Sequence, residues 1–251
     1  MSRETFLARV RAAAAAGRAY RVTNAARLRQ APPYAGAGED KLARMAAEVT
    51  AAGGKSHLVE TLADARATLA GLLVQYRATS ALCWQHPLLE RLGLAELLTS
   101  KGIARHDYAS LSALTQSEQR ERMLAADIGI SSATWAVAET GSLAMASAPG
   151  RERSASLLPP VHLAVVEAEQ VLPDLFDLFA EVEKVATATQ ESSDLTRPSS
   201  RAQAEGSVTS TLPTNLTLIT GPSKTGDLEL KLTTGVHGPG NWHVIIIRNG
   251  G

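Results

Sequence analysis

The sequence predicts an α/β fold: a mixed, mostly parallel sheet with helices on both faces, preceded by an N-terminal helical extension. Three observations predict it. From residue 56 onward, short apolar runs alternate with stretches of helical length and pattern, as strand–helix–strand crossovers require. Two late runs, Leu216–Ile219 and His243–Ile247, are nearly continuous in apolar residues, as central strands buried on both faces are. Between residues 127 and 147, three short strand candidates follow one another without room for crossover helices, which calls for antiparallel hairpins attached to the parallel sheet.

Taken in order, Arg3–Gly17 reads as a helix because alanine, the best helix former, fills Ala12–Ala16. Arg9, Arg11, Arg18 and Arg21 surround that run, so it is neither a signal segment nor a membrane span. The stretch Gln30–Gly38, with Pro32, Pro33, Gly36 and Gly38, reads as a linker. The expected organisation is therefore an extension over residues 1–38 and a single α/β domain over 39–251. In that domain a helix from Glu39 to Ala52 is stopped by Gly53-Gly54. Strand Ser56–Val59, helix Thr61–Tyr76, strand Ser80–Trp84, helix Pro87–Thr99, strand Ile103–Tyr108 and helix Gln116–Ala126 follow. Next come the short strands Asp127–Ser131, Thr134–Ala138 and Ser142–Ser147, then strand Val161–Val166 and helix Pro173–Ala188. Strand Leu216–Ile219, helix Thr225–Leu232 and strand His243–Ile247 close the domain. Residues Thr189–Asn215, rich in Ser and Thr and holding Pro198 and Pro213, read as a long loop, either a tolerated insertion or a lid.

Composition narrows the functional classes. Lys plus Arg and Asp plus Glu are equal at 25 each, so no broad field draws the chain to nucleic acid or an anionic membrane. Cys83 is the single cysteine, which excludes an intrachain disulfide and an iron–sulfur cluster held by four thiolates of this chain alone. Its apolar surroundings, Ser80–Trp84, mark a buried strand position. Disulfide-free chemistry fits a reducing cytoplasm. The histidines are scattered without i, i+4 pairs, so no metal site is expected.

Four segments carry the residue types of a site. In Ala138-Glu139-Thr140-Gly141-Ser142, a carboxylate closes a strand and precedes a tight turn. Glu139 there is a candidate base or nucleophile, or else a brace for the turn through backbone N–H groups. In Thr220-Gly221-Pro222-Ser223-Lys224-Thr225-Gly226-Asp227, an expected strand leads into an expected helix, the placement that favours an anion. Gly221 allows close backbone approach, Ser223 and Thr225 offer hydroxyls, and Lys224 a charge; a well-capped helix start is the alternative. The spacing is not that of a Walker A loop. Asp227 and Glu229 are expected in the first turn of that helix as macrodipole partners. In Gly235-Val236-His237-Gly238-Pro239-Gly240, His237 is sterically open and is a candidate catalytic histidine or a structural one bonded to a carbonyl, with Gly238 beside it. Arg153, ahead of strand Val161–Val166, can orient a carboxylate or form a salt bridge.

Three of these segments, in this order and spacing, form one pattern. They are Asp127–Ile130 with Ala138–Ser142, Arg153–Pro159 leading into His162–Val166, and Gly221–Asp227 with Gly235–Pro239. The pattern resembles the lactate-utilization (LUD) domain family, tightly from about residue 127 to 247 and more generally over 40–126. Lys224 stands where arginine is common in that family, and Gly226 where alanine is common. The resemblance implies a fold like the sugar-phosphate isomerase and CoA-transferase group. It also implies a part in oxidising L-lactate to pyruvate beside iron–sulfur partner subunits, with no cofactor bound by this chain alone. Three functional readings stay open: a non-cluster subunit that binds a small carboxylate or phosphate or stabilises its partners, a stand-alone CoA-transferase-like or isomerase-like enzyme using Glu139, and a purely structural module whose 189–215 loop docks a partner. The candidate ligand-binding residues are Thr140, Gly141, Ser142, Arg153, Gly221, Ser223, Lys224, Thr225 and Gly238, and the Glu139 turn and the two glycine-bearing loops, with His237, are expected to converge on one cleft at an edge of the sheet.

Overall fold

The computed structural model describes residues 2–17, 36–194, 213, 215–225 and 233–249. The chain divides into two units, Met1–Ala35 and Gly36–Gly251. The first contains helix α1 (Arg3–Gly17), on which Phe6 and Val10 are exposed.

The second unit is organised by a six-stranded sheet in the order β1-β12-β7-β4-β2-β3, every neighbouring pair parallel. Its strands are β1 (Lys55–Val59), β2 (Ser80–Cys83), β3 (Ala104–His106), β4 (Ile128–Ser131), β7 (Val161–Glu167) and β12 (Asn241–Ile247). Helix α2 (Lys41–Ala51) starts where the Asp40 carboxylate accepts from Leu42 N and Ala43 N, and it buries Leu42, Met45 and Val49. Helix α3 (Leu62–Gln75) starts at a reciprocal Thr61/Asp64 cap and buries Ala65, Leu69, Leu72 and Leu73. Gly54, just past the end of α2, lies against Trp242, whereas Tyr76, at the end of α3, bonds His243. Successive strand residues face opposite ways, so α2 and α3 cover opposite faces of β12. Each fully buried aliphatic side chain in these layers contributes roughly 1.5–3 kcal/mol.

The expected helix Pro87–Thr99 is two helices, α4 (Pro87–Arg91) and α5 (Leu94–Ser100). Gly93 separates them with φ +68, a left-handed backbone that ends α4 and lets Arg66 reach the Leu92 and Gly93 carbonyls. Strand β3 is shorter than expected, and a one-turn helix α6 (Tyr108–Ser112), capped by Asp107, precedes α7 (Gln116–Leu124).

The three short strands do not simply extend the main sheet. Only β4 belongs to it. Strands β5 (Trp135–Val137) and β6 (Ser142–Ala146) form a hairpin in a second sheet of order β8-β5-β6-β9, with β8 (Val171–Leu172) and β9 (Leu216–Ile219). Ala136, Leu143 and Met145 face the main core, and Val137 and Ala144 pack with Leu178 of helix α9 (Leu175–Asp194), the period-2 pattern of a sheet buried on both faces. The apolar run Leu216–Ile219 is thus the edge of this second sheet, half-buried, rather than a central strand. Run length alone does not say which sheet a strand joins. Helix α9 continues to Asp194, into the stretch expected as loop; most of the remainder of that stretch lies outside the described residues.

The expected helix Thr225–Leu232 is overturned at its start. Lys224–Thr225 is strand β10, paired antiparallel with β11 (Thr233–Thr234). Two β-branched threonines opposite this pair favour extended backbone over a helix start. Residues 226–232, with Asp227 and Glu229, lie outside the described residues.

Candidate functional site

Two glycine-bearing loops meet at the amino ends of β7 and β12. Ser223 N donates to Pro239 O at 2.9 Å and Gly235 N to Ser223 O at 2.9 Å, so the 220–224 and 235–240 segments are bonded into one wall. Gly240 N, donating to Pro160 O at 3.1 Å, ties that wall to the start of β7. Behind it lies the one-turn helix α8 (Ser154–Leu157), seated against Gly129 of β4: a Cβ there would stand 1.6 Å from Ala155 O. Glycine is required at that close approach.

These elements line an open cavity of about 270 Å³. That is room for roughly nine water volumes, the scale of a small metabolite. Its polar wall includes Ser156, Thr220, Ser223, His237, His162 and Trp242, and Leu157, Ile219 and Pro239 supply apolar surface. No Lys, Arg, Asp or Glu is among the described residues that line it.

His162 and Trp242 were not singled out by the sequence reading. They are direct register partners across β7 and β12, so their side chains stand together on one face. Both are buried. His162 Nε2 lies 2.8 Å from Ser131 Oγ, but its Nδ1 has no partner among the described residues, and neither has Trp242 Nε1. Burial pushes the His162 imidazole down to about 3, so the ring is neutral at physiological pH. An unpaired buried polar group costs about 1–3 kcal/mol, so two in one cavity wall call for an explanation.

The predicted site residues divide into three groups. Gly221, Ser223, His237 and Gly238 line the cavity. Thr140 and Ser142 stand one step behind it: Thr140 Oγ1 is 2.7 Å from Ser142 Oγ, which is 2.6 Å from Thr220 Oγ1. Gly141 sits on α2, where a Cβ would be 2.5 Å from Val49 N. Glu139, half-buried, donates its backbone N–H to Pro173 O at 3.1 Å and is not among the residues lining this cavity. Elsewhere, Lys224 directs its ammonium to Ala52 O at 2.6 Å, capping the carboxyl end of α2. Thr225 is in β10, and its expected place at a helix start is lost with that helix. Arg153 is exposed, makes no ion pair among the described residues, and accepts through its carbonyl from Ser156 N and Oγ.

A second polar cluster occupies the other face of β12. His243 Nδ1 is 2.9 Å from His57 Nε2, and His243 Nε2 is 2.7 Å from Tyr76 Oη. The two imidazoles stack with centroids 5.3 Å apart. Burial, with the nearby His57 and Lys55 charges, holds His243 down to about 4. Cys83 is buried in β2, and burial pushes its thiol up to about 12. No group of three or more His, Cys, Asp or Glu among the described residues is placed to hold a metal ion. No described helix is long and apolar enough to cross a membrane.

Fold and cavity together define a layered α/β domain whose pocket lies at the amino ends of its central strands. The LUD domain family model matches residues 42–247, and the chain belongs to that family. Lactate utilization protein C of Halalkalibacterium halodurans is 27% identical over 168 residues, 67% of this chain and 62% of that protein. Lactate utilization protein B of Shouchella clausii is 28% identical over 140 residues, 56% of this chain and 24% of that protein. The chain therefore spans less than two thirds of the length of these two relatives. A solved structure of a DUF162 family protein from Deinococcus radiodurans shares the fold with a TM-score of 0.50 at 19% identity, covering 82% of this chain and 96% of that one.

Proposed function

We propose that this protein takes part in lactate utilization as a subunit without a cluster of its own, binding a small carboxylate in the 270 Å³ cavity beside iron–sulfur partner subunits that carry the electrons. The observation that carries this reading is the family match over residues 42–247, joined to relatives named lactate utilization proteins C and B. The buried, strongly protonated Cys83 supports it, since a thiol of this kind is a poor cluster ligand. Cavity size and lining suit a small metabolite rather than a nucleotide. Deleting the gene in a strain lacking any other L-lactate dehydrogenase tests the role: growth on L-lactate is lost and returns on complementation, and undiminished growth overturns the proposal.

The stand-alone enzyme reading, with Glu139 as nucleophile or base, draws on the Thr140–Ser142–Thr220 hydroxyl chain that links the glutamate turn to the cavity. A Glu139→Gln protein with full activity in a thioester-exchange or isomerase assay removes it.

A further inference from the structure

The two unpaired groups in the cavity wall point to a specific mode of recognition, which rests on the proposed binding of a small carboxylate and sharpens it. We infer that the indole Nε1–H of Trp242 and the imidazole Nδ1–H of His162 are a pair of neutral donors for one ligand oxygen or carboxylate, and that the cavity selects small singly charged or neutral oxo and hydroxy compounds over phosphates and dicarboxylates.

Four observations lead there. First, strand register places the two side chains next to one another, because parallel neighbours lie about 4.8 Å apart. Second, indole nitrogen is a donor only, so Trp242 asks for an acceptor. Third, Ser131 Oγ and His162 Nε2 lie 2.8 Å apart and either can donate; we take the tautomer in which the hydroxyl donates, which leaves the ring proton on Nδ1 and makes the second group a donor as well. Neither atom is touched by solvent, so a ligand oxygen meets them only where a small movement of the rings opens the approach, and it is held there only when the donors answer it. Fourth, the described residues that line the cavity include no Lys or Arg. Burial of charge without a counter-ion becomes rapidly more costly as the charge grows, so a dianion is rejected where a monoanion held by neutral donors is accepted. Lys224, which the sequence offered as the cation for this site, is engaged at the end of α2. Leu157, Ile219 and Pro239 leave apolar surface for a short carbon chain.

The test follows the indole N–H signals of the 15N-labelled whole protein during titration with pyruvate, L-lactate, inorganic phosphate and succinate. Trp84, Trp135 and Trp242 give the indole signals, and Trp242→Phe assigns the third. Trp84 Nε1 donates to Glu152 O at 2.9 Å and serves as the internal control. Pyruvate or L-lactate is expected to shift the Trp242 signal saturably while Trp84 stays still, with phosphate and succinate at least 10-fold weaker. Trp242→Phe and His162→Leu proteins that retain the wild-type melting profile are expected to bind at least 10-fold more weakly. A Trp242 signal unmoved by either monocarboxylate, or tighter binding of phosphate, overturns the inference, and the wild-type titration decides this even where a variant fails to fold. The two proposals separate cleanly. Pyruvate binding that leaves Trp242 unaffected removes this inference and leaves the lactate role standing. A Trp242 response in a protein whose deletion spares growth on lactate removes the role and leaves the recognition mode.

Discussion

His162 and His243 sit on adjacent strands of one sheet, both buried and both held neutral, yet on opposite faces and in opposite states of satisfaction. His243 uses both ring nitrogens, one on His57 and one on Tyr76. His162 uses one, on Ser131, and the other has no partner among the described residues, like the indole nitrogen of Trp242 beside it. A closed hydrogen-bond chain fixes packing and offers nothing to a visitor. An open one lowers stability and is kept where something completes it. On that ground the His243 face packs as structure and the His162 face is the one proposed to bind.

The largest effect expected bears on the binding face. Gly129→Ala drives a Cβ into the Ala155 carbonyl and unseats α8, so the protein loses more than about 4 kcal/mol or fails to fold, read as soluble yield and urea midpoint. Acid comes next. The unfolded chain takes up protons on these histidines below about pH 6.5, whereas the folded protein resists until about 4 at His243 and about 3 at His162. The stability they contribute is therefore complete near pH 7 and falls as the pH drops through that window, by about 3 kcal/mol per ring, measurable as urea midpoints between pH 7 and 4.

Substitution separates the two faces more sharply. His243→Leu takes away the ring partner of His57 and leaves the Tyr76 hydroxyl only its 3.3 Å bond to Asn241 Oδ1; it is expected to cost about 2 kcal/mol in thermal or urea unfolding, with pyruvate binding unchanged. The double change His162→Leu, Ser131→Ala removes a half-satisfied pair and is expected to stay within about 1 kcal/mol of wild type, while binding is lost. Equal losses of stability from the two substitutions break the comparison. The smallest effect belongs to Lys224→Met, about 0.5 kcal/mol from the uncapped end of α2, with the preference for monoanions intact.

Much of the scaffold was legible in the sequence, because apolar runs and caps are local signals. His243–Ile247 reads as a central strand and is one, between β1 and β7. Leu216–Ile219 has the same apolar look and is an edge strand of another sheet, since partner choice is not written in the run itself. The glycine-bearing loops were found by residue type, yet the role of Lys224 depends on a carbonyl 172 residues earlier in the chain. Trp242 and His162 escaped notice for a related reason. Each is one polar-bearing residue at the start of an apolar strand, and only the register of β7 against β12 makes them neighbours. A signal was present, in that both strands begin with an aromatic or imidazole ring at the same alternation phase, but it has meaning only once the pairing is known.

The carboxyl end of α2 gathers contacts from three distant parts of the chain. Gly141 presses on its backbone at Glu48 and Val49, Lys224 and Gly221 meet Ala52, and Gly54 gives way to Trp242. One added residue within this helix would turn everything beyond it by about 100° and advance it about 1.5 Å. The hydroxyl chain, the capping ammonium and the indole would all lose their seats together, although none of them had been altered. Length in α2 is therefore a calibrated dimension of the pocket, and insertions there are expected to silence binding well before they melt the sheet.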